Sequence, residues 1–141
     1  MTVKPSSGVR YALTALVDLA LHQEIGPVTV ARIARRQGIP ARYLEQLFNR
    51  LRREGIVAAE RGPRGGYRLS RAPKEIPVAA VFRCLEDSKR PVSLTDPAAD
   101  VWKQVEKAVQ TTLEATTLET LVAQAREKNP SPIRHPFTFH I

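Results

Sequence analysis

The chain has 141 residues, 43% of them hydrophobic, with 22 Lys and Arg against 14 Asp and Glu, a net charge of +8. That length and apolar content support one domain, or a small domain with an appendage, and exclude a chain disordered throughout. One cysteine, Cys84, excludes an internal disulfide and a Cys-rich zinc or iron–sulfur site built within one chain, and no apolar run reaches the ~18 residues of a membrane span.

Residues 7–23 read as the first helix, with Val9, Leu13, Leu16, Val17 and Ala20 at helical spacing and Ser6 or Ser7 as its cap. Arg10, Asp18, His22 and Glu24 interrupt this apolar run and no small-residue cleavage site follows, which argues against a signal peptide and for a cytoplasmic protein. Gly26-Pro27 breaks the helix. Thr29 suits the N-cap of a short helix over 30–37, with Ile33 and Ala34 inward and Gly38 at its end. After a short turn, Pro40 opens a helix from about Ala41 to Glu54. Leu44, Leu47, Phe48 and Leu51 share its inner face, and the other face carries Arg42, Glu45, Gln46, Asn49, Arg50, Arg52 and Arg53.

Two short strands follow, 56–60 and 67–70, around the glycine-rich tip RGPRGG at 61–66, which reads as a β-hairpin. The tip lacks the Gly-Lys-Ser/Thr ending and the following helix of a phosphate loop. Residues 78–87 read as a helix with Val78, Val81, Phe82 and Leu85 inward, 88–95 as a loop, and about 98–115 as a long helix begun by Asp96-Pro97. Trp102, Val105, Val109 and Leu113 form a stripe on that helix. The stripe suits a ligand pocket, a buried core or a dimer seam; the seam is preferred because the first half of the chain already supplies its own inward faces. Thr117 restarts a helix carrying Leu118, Leu121 and Val122, and residues 129–141 form an irregular, Pro-rich tail.

The charge is lopsided. Through Lys74 there are 14 basic and 5 acidic residues; from Glu75 onward there are 8 and 9. A basic half joined to a neutral one points to a polyanion-binding domain, 1–74, followed by a helical dimerisation region, 75–128. Helix, short helix, turn, helix and hairpin is the order of a winged helix-turn-helix, whose second turn-pair helix reads base edges in the major groove. That makes 41–54 the recognition helix, with Arg42, Tyr43, Glu45 and Gln46 at its base-facing end, and Arg61 and Arg64 on a wing that reaches phosphates or a minor groove. No nucleophile–base pair or phosphate loop supports an enzyme. The histidines, His22, His135 and His140, lack metal-site spacing. The competing reading is a winged-helix module that binds protein or RNA without acting at a promoter; preference for duplex DNA and a palindromic site discriminates the two.

The segments SSGVRYALTALVDLAL, IPARYLEQLFNRLRREGIV and RGPRGGY together resemble the Rrf2 family of bacterial transcription regulators, on motifs over 5–87 and on helical pattern over 94–124. The resemblance implies a mainly α fold with a small β-hairpin: a winged helix-turn-helix plus a long C-terminal helix, here 98–115, that crosses to a partner protomer in a homodimer on double-stranded DNA. It also implies DNA contacts at Arg10, Arg42, Tyr43, Glu45, Gln46, Arg61, Gly62 and Arg64. Glu45 is notable, since a carboxylate repels phosphates and so acts by choosing cytosine. Cluster-binding relatives carry three cysteines, then often a histidine, between the short helix and the long one, where this chain has SKRPVSLTD (88–96) with Ser93 and Asp96 in the places of a final cysteine and the histidine. The expectation is therefore a member with no cofactor and no metal, governed by a regulatory protein partner or a small-molecule effector, with Cys84 a small buried hydrophobe.

Overall fold

The structure, a computed structural model, describes residues 6–86 and 95–128. The Pro-rich tail with His135 and His140, and most of the 88–95 loop including Ser93, lie outside the described residues.

Helix α1 (Ser7–His22) leads into a 3-10 turn, Gln23–Ile25. Helices α2 (Val30–Gln37) and α3 (Ala41–Arg53) follow, then strands β1 (Val57–Glu60) and β2 (Gly66–Leu69). A second 3-10 turn, Pro73–Glu75, precedes α4 (Val78–Leu85), α5 (Ala99–Ala115) and α6 (Leu118–Lys128). The strands pair antiparallel in a two-stranded sheet, from Val57 opposite Leu69 to Glu60 opposite Gly66.

The local signals explain these elements. Ser6 caps α1, its Oγ accepting from the Val9 amide at 3.3 Å. The Thr29 hydroxyl accepts from the Arg32 amide at 3.2 Å, and Gly38 ends α2 in the left-handed region at φ 66°, where a side chain would be strained.

Helix α1 is the axle of the fold. The sequence predicts one inward face, yet residues on every side of it are buried: Val9, Ala12, Leu13, Ala15, Leu16, Val17, Leu19 and Ala20. The reason is that α2, α3, α4, α6 and β2 all pack around it.

The core runs across residue 74, where the sequence suggests a domain boundary. Ile76, Val78, Val81, Leu85, Leu118, Val122 and Ala125 join the same cluster as Phe48 and Leu51. Helix α6 is also tied on by backbone. The Leu118 amide donates to Ile76 O and the Val78 amide to Thr116 O, both at 2.8 Å. By contrast α5 has no buried residue and packs chiefly on α4.

Candidate nucleic-acid interface

Three residues, Gly38 to Pro40, separate α2 from α3, and the turn is pinned by the Ile39 amide donating to Ala34 O at 3.1 Å. Leu44, Leu47, Phe48 and Leu51 are buried, as the spacing predicts, and this fixes the rotation of α3. Its opposite face therefore presents Arg42, Glu45, Gln46 and Asn49 to solvent. Tyr43 is shared between the two surroundings. It is 36% exposed, and its ring meets Tyr11 edge-on, with centroids 5.8 Å apart. A Cβ on Gly8 would stand 3.1 Å from the Tyr43 hydroxyl, so the first turns of α1 and α3 lie side by side. That brings the start of α1, where Arg10 is exposed, to the N-terminal end of α3.

The wing is held firmly at its base and left bare at its tip. Val28 joins the hairpin as an isolated bridge to Tyr67, with Tyr67 N to Val28 O at 2.7 Å and Val28 N to Tyr67 O at 3.0 Å. A Cβ on Gly66 would come 2.6 Å from the Val28 backbone, so this glycine serves close chain approach. Phe48 of α3 meets Tyr67 edge-on at 5.0 Å. Gln23 at the end of α1 accepts from Leu69 N at 2.9 Å through its side chain and from Arg68 Nη1 at 3.1 Å through its carbonyl. At the tip, Arg61, Gly62, Pro63 and Arg64 are all exposed.

A groove runs between α3 and the wing. Glu45 and Asn49 form one side, Arg61 and Gly62 the other, and Thr29 to Ala31 at the start of α2 close its end. Glu60 also lines it, but its carboxylate accepts from Arg68 Nε at 2.6 Å, which offsets its charge toward a polyanion. The groove thus brings Glu45, Arg61 and Gly62 together. Arg42 and Gln46 stand on the same exposed face of α3 without lining it, and Arg64 lies on the other flank of the wing.

The sequence reading treats Asp18 and His22 only as breaks in an apolar run. They are a buried polar hub. Asp18 is fully buried; it accepts from Arg36 Nη2 at 2.6 Å, Arg36 Nε at 3.0 Å and Gln37 Nε2 at 2.8 Å. His22 Nδ1 lies 2.7 Å from Asp18 O and 3.4 Å from Asp18 Oδ1; both are acceptors, so this nitrogen carries the proton. Burial pushes the Asp18 carboxyl up, but hydrogen bonds from His22, Arg36 and Gln37 and the Arg36 charge outweigh it and hold the group below its ordinary value. The Asp18 hydrogen bond raises His22 against the opposing effect of burial. The hub bolts α2 to α1 and so sets where the turn and α3 stand. Its signal in the sequence is polar residues at i and i+4 on an otherwise inward face.

Helix α5 presents Val101 and Trp102, 54% and 50% exposed, with Val105 and Val109 half-buried and Leu113 packed at the edge of the chain's own core. Asp96 starts this helix: its Oδ1 accepts from the Ala98 amide at 2.8 Å and its Oδ2 from the Trp102 indole at 3.1 Å.

An iron–sulfur cluster needs about four ligands, mostly thiolates. The only cysteine, Cys84, is buried on the inner side of α4, and its carbonyl accepts from Arg50 Nη2 at 2.9 Å. Both Asp96 oxygens are engaged in starting α5, and no three His, Cys, Asp or Glu side chains converge among the described residues. The residues present do not fit a cluster.

Comparisons with known proteins agree on one family. The model of the Rrf2 family, described as iron-dependent transcriptional regulators, matches residues 5–124. The HTH-type transcriptional regulator IscR of Aliivibrio salmonicida is 52% identical over 86 residues, 61% of this chain and 51% of that protein. IscR of Serratia proteamaculans is 54% identical over 79 residues, 56% of this chain and 48% of that protein. The aligned part thus spans about half the length of these curated relatives. Among solved structures, CymR, the global cysteine regulator of B. subtilis, superposes with a TM-score of 0.78 at 34% identity, covering 87% of this chain and 98% of that one. T. potens IscR superposes with a TM-score of 0.78 at 39% identity, covering 92% and 93%.

Proposed function

The chain belongs to the Rrf2 family of transcriptional regulators, and from that premise we propose that it is a DNA-binding regulator that acts as a homodimer on a palindromic operator and carries no iron–sulfur cluster of its own. The observation that carries this reading is the groove between the bare face of α3 and the wing. With α3 in the major groove, Arg42, Tyr43, Glu45 and Gln46 reach base edges, and Arg61 and Gly62 meet the neighbouring backbone or minor groove. Arg10, exposed at the start of α1, adds a phosphate contact. Phosphate contacts set the register, and base contacts set the sequence. Glu45 discriminates: it accepts from cytosine and repels phosphates and other acceptors, so it lowers affinity for wrong sites more than it raises affinity for the right one.

The exposed stripe of α5 supports dimerisation. Trp102 is half exposed and Val105 and Val109 only half-buried, so among the described residues this stripe, which ends at Leu113, is left partly open, and a crossing helix from a second protomer suits it. The ligand inventory supports the cluster-free state, and control then falls to a small-molecule effector or a protein partner. A regulator of this kind works in the cytoplasm at the nucleoid, and no helix among the described residues is long and apolar enough to cross a membrane.

Selection of bound sequences from random duplexes, followed by anisotropy titration, tests the reading. A palindromic site should emerge. If the dimer neutralises about 6–10 phosphates, its affinity should fall by roughly 10³–10⁵ between about 50 and 200 mM salt. Absence of duplex binding at low salt overturns the reading. Iron and sulfide analysis after anaerobic purification tests the cluster-free state separately, and stoichiometric iron with a visible absorbance band would refute it.

A further inference from the structure

The wing has two flanks of opposite character. The flank toward α3 is the groove described above, which contains Glu45 and Glu60 as well as Arg61. The other flank is a cleft of about 440 Å³ between the wing tip and the turn after α1. Its charged lining is wholly basic: Arg32 and Arg36 from α2, Arg64 from the wing, and His22 at its base, where the contact with Asp18 favours the protonated ring. Ile25 and Pro63 supply apolar walls. Asp18, the acidic group beneath, is fully buried and paired with Arg36, so those two charges offset each other and the positive charge offered by the cleft comes chiefly from Arg32 and Arg64. The guanidinium groups of Arg32 and Arg64 have no hydrogen-bond or ion-pair partner among the described residues. The wing thus sends its two arginines apart, Arg61 to one cleft and Arg64 to the other.

We propose that this second cleft is a phosphate site, built by Arg32 and Arg64, that grips the backbone of the far strand of the bound duplex. The inference rests on the DNA-binding reading and extends its footprint. A wing at the minor groove has one strand on each side of it. The strand between the two grooves faces the α3 flank. The strand that bounds the minor groove on its far side, about 6 Å across, faces the cleft of Arg32 and Arg64. Two guanidinium groups with no acidic partner among the described residues, lining one concave and partly apolar cleft, suit a phosphate's chemistry. Arg36 holds the floor: its Nε and Nη2 are committed to Asp18, so its part is to position α2 beneath the cleft.

The test uses two duplexes built on a sequence selected by the full chain. One ends within the minor groove that the wing enters; the other continues about half a helical turn beyond it. Arg32→Gln is the variant of choice, because Arg32 is exposed and a melting curve unchanged from the parent will show that the fold is intact. On the long duplex the variant should bind more weakly, and the slope of log affinity against log salt should shrink by about 0.9, the value of one phosphate contact. Arg32→Lys should restore most of that slope. On the short duplex parent and variant should coincide. Equal loss on both duplexes, or no loss on either, overturns the proposal. So does a titration in which inorganic phosphate shifts the Arg32 side-chain resonance of the free protein while the duplex slopes stay equal, since the site would then serve a free anion. If the parent chain binds neither duplex, the DNA-binding reading itself fails, and this inference falls with it.

Discussion

Helices α3 and α5 carry the same kind of apolar stripe and meet opposite fates. In α3, four apolar side chains of thirteen residues are buried against α1, α4 and β1. In α5, seventeen residues long, none is buried, and Trp102 remains half exposed. The stripe therefore says only that a helix wants a partner. Whether the partner lies in the same chain depends on whether a second apolar surface stands within reach. Helix α3 packs on α1, most of whose residues from Ala12 onward are buried; among the described residues α5 packs chiefly on α4, while α6 packs on α1. One face is spent on folding, and the other stays partly open among the described residues, where the proposed seam would use it.

The largest way to break this contrast is to remove α3's anchor. Phe48 is fully buried and touches Tyr67 of the wing, so Phe48→Ala should destabilise the chain by about 3–5 kcal/mol, read as a lower urea midpoint. It should also loosen the wing, because one ring serves both elements.

Next comes the hub that sets α3's position through α2. Asp18→Ala strips three side-chain donors of their acceptor and should destabilise by about 1–3 kcal/mol in equilibrium unfolding. The loss should appear also as weaker DNA binding at temperatures well below the melting point, since α2 is no longer bolted to α1.

The same hub predicts a pH dependence with two limbs. Asp18 titrates below its ordinary value of 3.8, so its contribution is present above that pH and fades as pH falls through the folded-state value. His22 titrates above its ordinary value of 6.5, so its contribution is full below 6.5 and fades as pH rises through the raised value. Urea unfolding across the pH range should show both limbs, and His22→Gln should remove the alkaline one and shrink the acid one, since the His22 hydrogen bond helps to hold Asp18 low. Identical profiles in parent and variant would show that the ring adds no proton-linked stability.

The smallest effect on folding should come from α5, and there the contrast is sharpest. Val109→Glu should change the stability of the isolated chain by no more than about 1 kcal/mol, since Val109 is only half-buried among the described residues. It should nevertheless separate the protomers, because a carboxylate buried in the seam would have no partner. Sedimentation should give a dimer for the parent and a monomer for the variant at micromolar concentration. The parent's melting temperature should rise with concentration and the variant's should not. A monomeric parent would sink the seam assignment.

Periodicity and local chemistry determine much of this molecule. The Ser6 and Thr29 caps, the Gly38 stop, the inner face of α3 and the hairpin around RGPRGG follow from forces that act within a few residues, so the sequence displays them directly. The exposed candidates of α3 and the wing follow too, since burying one face fixes which side chains are left outside. Three features needed the tertiary structure. Asp18 and His22 become a hub only because Arg36 and Gln37, far along the chain, reach back to them. Helix α6 belongs to the core of the first half because its backbone pairs with 76–78, a long-range closure that spacing cannot express. The division of Arg61 and Arg64 between two flanks of the wing depends on how the hairpin leans on α1 and α2. Each depends on groups distant in sequence meeting in space, and a pattern read along one strand of chain carries only what neighbours impose on one another.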